Sequence, residues 1–399
     1  MKVDKPFMEA MRHATQLVRT RGPGAATRFI QGLLRPKQVK PTPASPDIRA
    51  ADIRAADVRA DDSANPIVEF LEPLPAHALH EQPVPLTLPS EAGQFLSQRF
   101  SGQAGARNYK LYVPSGYSGT PLPLVVMLHG CTQNPDDFAA GTRANRWAES
   151  KRCLIVYPEQ IQRANSHRCW NWFRPVDQQA GHGEPAIIAG IVRQVIDEYQ
   201  IDARRVYVAG LSAGGAMAAI MGHEYPELFA AVGIHSGLPV GAAHDVASAL
   251  ALMKTAQSMF TPAAGTATLT PRAVPVIVLH GDADRTVNPA NADRLIQSAV
   301  ETYQLINPSS PLQTSMQTID AADDSHAYRR TRHMAVNGTS MIEQWEIHGA
   351  GHAWSGGNPD GSFTDARGPD ATQAMLQFFD QHVMPEEAAP HVIASPAVV

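Results

Sequence analysis

Twelve residues constrain this chain more than any others: VYVAGLSAGGAM, from Val206 to Met217. A β-branched run ends abruptly in Gly210-Leu211-Ser212-Ala213-Gly214, and the small residues that follow suit only a closely packed helix. A G-x-S-x-G pentapeptide between a strand and a helix is a nucleophile elbow. The turn is so sharp that the serine takes a strained backbone conformation, and its neighbours must have little or no side chain. The Ser212 hydroxyl is then presented at a helix N-terminus, where unpaired backbone N–H groups and the helix dipole favour developing negative charge. Glycine-rich pentapeptides also arise by chance, so the weight of this one depends on its surroundings.

Those surroundings alternate. After a hairpin pairing Gln94–Phe100 with Asn108–Val113 come apolar runs at 122–130, 153–158, 206–210, 230–234 and 275–281. Helical patterns fall at 136–149, 185–199, 213–223 and 290–303, and a last one spans 370–381. YRRTRHMA and SMIEQWEIHG flank Asn337-Gly338, a hairpin-turn dipeptide. Continuous apolar strands alternating with helices predict an α/β fold with a mostly parallel sheet covered on both faces, whose reactive loops lie at the carboxyl ends of its strands.

Three further strand ends carry chemistry. PVIVLHGDADRTV ends in His280-Gly281-Asp282-Ala283-Asp284, and WEIHGAGHAW in Gly349-Ala350-Gly351-His352. The order Ser212, Asp284, His352 is the nucleophile, acid, histidine order of α/β-hydrolases. A serine hydroxyl is a poor nucleophile until a histidine takes its proton, and a buried carboxylate fixes that histidine's tautomer. Asp284 is chosen over Asp282 because it sits farther from the strand, where the loop can turn towards a histidine; Asp282 is expected to cap or brace the loop. His235, His280 and His348 also lie at strand ends among the sixteen histidines, but His352 follows a glycine-rich turn after the final strand. The fourth end, His129 to Asn134, offers a backbone amide for an oxyanion, with Ala213 supplying the other. Cys131 and Thr132 are both candidates there, and Cys131 is taken with Ala213 as the pair.

HGCTQN, CWNWF (169–173), GLSAGGAM, HGDADRTV and GAGHAWSGG together resemble the esterase family of the poly(3-hydroxybutyrate) depolymerases, whose relatives include feruloyl and acetylxylan esterases. The resemblance spans about residues 95–382. It implies an α/β-hydrolase fold and a serine-dependent carboxylic ester hydrolase with Ser212, Asp284 and His352 as its triad. The implied substrate is a hydroxyalkanoate oligomer or polymer, with feruloyl or acetyl esters as the alternative. By the same resemblance Trp170, Trp172 and Trp354 border the substrate, and Cys131 pairs with Cys169. The residues themselves leave a second reading open for the tryptophans of CWNWF, which line an apolar cleft or cover the sheet edge.

The rest of the chain divides by composition. Residues 1–35 read as a basic amphipathic helical segment, broken at Arg21-Gly22-Pro23-Gly24. Residues 36–89 read as a low-complexity linker: the unit Asp-Ile/Val-Arg-Ala repeats every five residues from Asp47, a period that builds no apolar face. The catalytic domain is assigned to 90–385 and a tail to 386–399. Within 1–40, nine Lys/Arg oppose Asp4 and Glu9, while the whole chain is at −5. That asymmetry suits an arm seeking an anionic surface or polymer inclusion, or a solvated basic face. A non-catalytic inclusion- or partner-binding module is the rival to an enzyme. The aromatic pattern gives no sign of nucleic-acid recognition, and no apolar run reaches a membrane span. Three cysteines, none spaced with histidine as metal ligands, imply no metal, and the chemistry implies no cofactor. Cys153 reads as a small buried apolar residue. The charged first residues lack a secretory core, which points to a cytoplasmic location; a Cys131–Cys169 bond would point outside the cell instead.

Overall fold

The structure, a computed structural model, describes residues 92–258 and 272–386. The basic segment 1–35, the linker 36–89 and the tail beyond Glu386 lie outside the described residues.

The first hairpin pairs β1 (Gln94–Gly102) with β2 (Gly105–Val113), joined where Gly105 takes a φ of 133°. There follow β3 (Leu122–Leu128), α1 (Pro135–Thr142), α2 (Ala144–Lys151), β4 (Leu154–Pro158) and α3 (Gly183–Glu198). The elbow joins β5 (Ile201–Leu211) to α4 (Ala213–Glu224), and the chain continues through β6 (Ala231–His235) and α5 (Val246–Thr255). Then come β7 (Val276–Gly281), α6 (Ala290–Ile306), β8 (Gln313–Ile319), β9 (Tyr328–Met334) and β10 (Ser340–Ile347). A two-stranded pair, β11 (Trp354–Ser355) with β12 (Thr364–Asp365), precedes α7 (Ala371–Phe379).

The large sheet runs β1-β2-β4-β3-β5-β6-β7-β10-β9-β8, parallel from β4 to β10 and antiparallel at both margins. Alternation along the central strands divides the core. Leu124, Val126, Val206 and Val208 face one side with Ile188 of α3, Met217 of α4 and Leu295 of α6. Val125, Met127, Tyr207 and Ala209 face the other with Phe138 of α1, Trp147 of α2 and Phe379 of α7. Both faces are buried, so the strands read as continuous apolar runs.

The structure departs from the sequence expectation in the 136–149 helix, which is broken in two at Arg143. That residue takes the left-handed conformation, φ 53°, ending α1 and opening α2. Its guanidinium is tied at the break to the Gly356 carbonyl and, at 3.0 Å, to Asp370, so a tertiary anchor overrides local helix propensity. No helix among the described residues is long and apolar enough to cross a membrane.

Candidate active site

Ser212 holds the conformation its motif demands, φ 59° and ψ −118°, between the end of β5 and the start of α4. Two residues on, Gly214 lies against the Leu128 and His129 carbonyl oxygens with no room for a side chain. The Ser212 N–H donates to the His235 carbonyl at 2.9 Å, which fixes the nucleophile's backbone to the neighbouring strand β6. Ala213 is the first residue of α4, so its N–H has no helical partner and points out at the helix mouth.

Along the same edge, β7 and β10 are parallel neighbours, and their following loops meet. Nδ1 of His352 lies 2.6 Å from Oδ2 of Asp284, while Oδ1 of Asp284 accepts from the amides of Thr286 at 2.8 Å and Val287 at 2.9 Å. Burial opposes the charge on Asp284. Hydrogen bonds from His280 and His352 outweigh it, together with the charge of His352 and the Val287 amide, and hold the carboxyl far below the usual range. Asp282 instead braces the loop, as expected: it accepts from Gly349 N–H at 2.7 Å and pairs with Nδ1 of His348 at 3.0 Å.

His235 packs behind this pair. Its ring stacks on Trp354 at 5.2 Å, and its Nε2 accepts the Ser355 N–H at 3.1 Å. Burial, followed by the nearby charges of His280 and His352, lowers its pKa to about 3, so it is neutral and takes no proton at working pH. Among the described residues, Asp282, Glu346 and His348 are the group whose ligand atoms lie within 4.8 Å of one another as a cation would need. Asp282 there is already engaged by His348 and Gly349, and Glu346 is paired with Arg329.

Three amides of the turn after β3 are engaged. The Gly130 N–H donates to Oε1 of Gln133 at 2.9 Å, Thr132 N–H to the His167 carbonyl at 2.6 Å and Gln133 N–H back to Gly130 at 3.3 Å. Among the described residues no hydrogen bond from the Cys131 N–H is found, which separates it from Thr132. Cys131 is bonded through its sulfur to Cys169. His129 steadies the turn from below: Gln160 N–H donates to its Nε2 at 3.1 Å, leaving the Nδ1 proton for the Gly130 carbonyl at 2.8 Å. Burial pushes that imidazole down to about 4. Gln160 and Asn171 in turn donate to the buried Glu184.

The tryptophans lie deeper than a substrate-lining role requires. Trp170 and Trp354 are 0% and 1% exposed and Trp172 only 6%, so the first two offer no ring face to a bound ester. Trp170 packs beside His129 and Trp354 beside His235, supporting the turns that carry the site. The sequence reading missed Gln133 and Glu184, whose positions show only once the loops are folded, and passed over His280.

The sheet order, the elbow after β5, and the acid and histidine after β7 and β10 define an α/β-hydrolase. The chain belongs to the family described as Esterase PHB depolymerase, which residues 107–314 match. Poly(3-hydroxyalkanoate) depolymerase C of Paucimonas lemoignei is 32% identical over 286 residues, covering 69% of this chain and 65% of that protein. Acetylxylan esterase A of Emericella nidulans is 33% identical over 145 residues, covering 35% of this chain and 45% of that protein. Feruloyl esterase B of Thermothelomyces thermophilus is 29% identical over 202 residues, covering 47% and 67%. The chain thus spans just under two thirds of the first of these relatives and under half of the second. The solved structure of the acetyl xylan esterase from Aspergillus awamori superposes with a TM-score of 0.50 at 20% identity, covering 73% of this chain and 99% of that one, a likeness of fold.

Proposed function

We propose that the chain hydrolyses carboxylic esters through a serine acyl-enzyme. Ser212 Oγ attacks the ester carbonyl and passes its proton to Nε2 of His352. His352 then returns that proton to the departing alkoxide, and water, activated in the same way, releases the acid. Asp284 fixes His352 as the Nδ1–H tautomer and stabilises its charged form. The amides of Cys131 and Ala213 receive the oxyanion. The observation that carries this reading is the 2.6 Å contact between His352 and a wholly buried Asp284, at strand ends beside the elbow.

The substrate we assign is a hydroxyalkanoate ester, supported by the longest of the matches above, to a poly(3-hydroxyalkanoate) depolymerase. Feruloyl or acetyl esters are the alternative, supported by the shorter matches to feruloyl and acetylxylan esterases. The Cys131–Cys169 bond supports an oxidising compartment over the cytoplasmic location read from the first residues. The basic segment 1–40 is proposed to dock on an anionic surface or inclusion.

Ser212→Ala, assayed on a short chromogenic acyl ester, is expected to lose several orders of magnitude in kcat. Unchanged turnover would reject the serine mechanism, whereas a parent chain with no turnover would leave the binding-module reading. Side-by-side rates on hydroxybutyrate oligomers, feruloyl esters and acetylated xylan rank the substrates.

A further inference from the structure

His280, at the end of β7, carries a hydrogen-bond pattern that packing alone does not require. It is 2% exposed, and its Nε2 faces two acceptors at once: the Val287 carbonyl at 3.0 Å and Oδ2 of Asp284 at 3.2 Å. A carbonyl oxygen only accepts, so Nε2 carries the proton; Nδ1 is buried without a partner and holds the lone pair. Val287 closes the circuit, because its own N–H donates to Oδ1 of Asp284 at 2.9 Å. The oxygen that meets Nδ1 of His352 is therefore the one that also meets His280.

We propose that His280 is a positioning residue for the acid: its Nε2–H holds Oδ2 of Asp284 in line with His352 and disperses the negative charge that His352 senses. The inference rests on the roles of Ser212, Asp284 and His352 given above. A histidine that served packing alone would be satisfied by the Val287 carbonyl, with its other nitrogen turned to a donor. Here the ring leaves one nitrogen unpartnered and shares its single N–H between that carbonyl at 3.0 Å and the carboxylate oxygen at 3.2 Å. The titratable groups acting on the pair are His280 on β7 and, behind it, His235 on β6.

Withdrawing the His280 N–H leaves Oδ2 with one donor fewer, concentrates its charge and raises the pKa of the His352 imidazolium. Hydrolysis needs His352 neutral, so the acid limb of kcat/KM moves to higher pH. His280→Leu removes the donor, His280→Asn draws it out of reach, and His280→Gln places an amide N–H close to where Nε2 stands. The Leu and Asn variants are expected to lose about tenfold or more in kcat with KM nearly unchanged, and to shift the acid limb upward. The Gln variant is expected to keep both near those of the parent.

NMR titration of the His352 ring in the full chain reads the same shift without turnover. It separates a failure of this proposal from a failure of the serine mechanism, which Ser212→Ala tests alone. An unmoved His352 titration in the folded Asn variant overturns the proposal, as does a Gln variant as impaired as the Asn one. If the Leu variant does not fold, the comparison of Asn with Gln decides.

Discussion

Asp284 and His352, 68 residues apart in the chain, meet at 2.6 Å between Oδ2 and Nδ1, and the Asp284 side chain has no exposure to solvent. Every donor that reaches this carboxylate comes from its own loop, from the last residues of β7 or from His352. The loop thus keeps one carboxylate oxygen aimed at His352, with His280 on the same oxygen.

Replacing that oxygen's charge is the sharpest test of the two candidate acids. Asp284→Asn is expected to lower kcat/KM on a short acyl ester by about 10³–10⁴-fold, because an amide supports the wrong imidazole tautomer. Asp282→Asn, which only loosens the brace to Gly349 and His348, should stay within about tenfold. The reverse ranking would reassign the acid.

Stability should fall on mild acidification. Burial lowers His129 to about 4, His235 to about 3 and His382 to about 4, against about 6.5 in an unfolded chain. Below about pH 6.5 the unfolded chain binds protons that the folded one refuses, so the contribution of these rings is full above that pH and drains away towards pH 4. The depressed Asp284 adds a later loss, present above about pH 4 and drained below it. Urea midpoints at several pH values from 7.5 to 4.5 check this, and a flat series would contradict it.

The bond between Cys131 and Cys169 closes a loop of 38 residues. Replacing both by Ala is expected to remove about 3–4 kcal/mol of stability, which calorimetry would read as a fall in Tm on the order of 10 °C. Because Cys131 also presents the proposed oxyanion amide, kcat should drop further than KM changes. An unaltered Tm would mean that the bond does not constrain the chain.

A single methyl group at the elbow should be ruinous. Gly214→Ala drives a Cβ into the Leu128 and His129 carbonyl oxygens, both of them rigid backbone atoms. The expected cost is at least about 3 kcal/mol, with loss of esterase activity even in the fraction that folds. Circular dichroism melts and ester assays on the soluble fraction give the answer.

The sheet was legible because its central strands are apolar on both faces and its strand ends carry glycine beside reactive side chains. The proposed acid and base and the elbow are all of this kind, as is the preference for Asp284 over Asp282, which the 2.6 Å contact with His352 supports. What escaped has specific causes. The edge strand β8, QTSMQTI, is polar and largely exposed, so it lacks the alternation that betrays a half-buried strand. The helix break at Arg143 is set by partners at Gly356 and Asp370, more than two hundred residues away, with no glycine to announce it. His280 looked like one strand-end histidine among several, because its tie to Asp284 runs through a turn that only the folded loop reveals. The tryptophans were placed on the substrate by resemblance, and the depth of Trp170 and Trp354 comes with their packing against His129 and His235.

The backbone at Ser212, with φ at 59°, sits where a side chain is poorly tolerated, at a penalty of about 1–3 kcal/mol. A glycine there would relax the turn and abolish the hydroxyl together. The proposed nucleophile is therefore a residue at which the fold would be sturdier without its side chain, and selection for thermal robustness alone would tend to erase the chemistry first. A library screened only for heat resistance should accumulate changes at 212, and one screened for turnover should never do so.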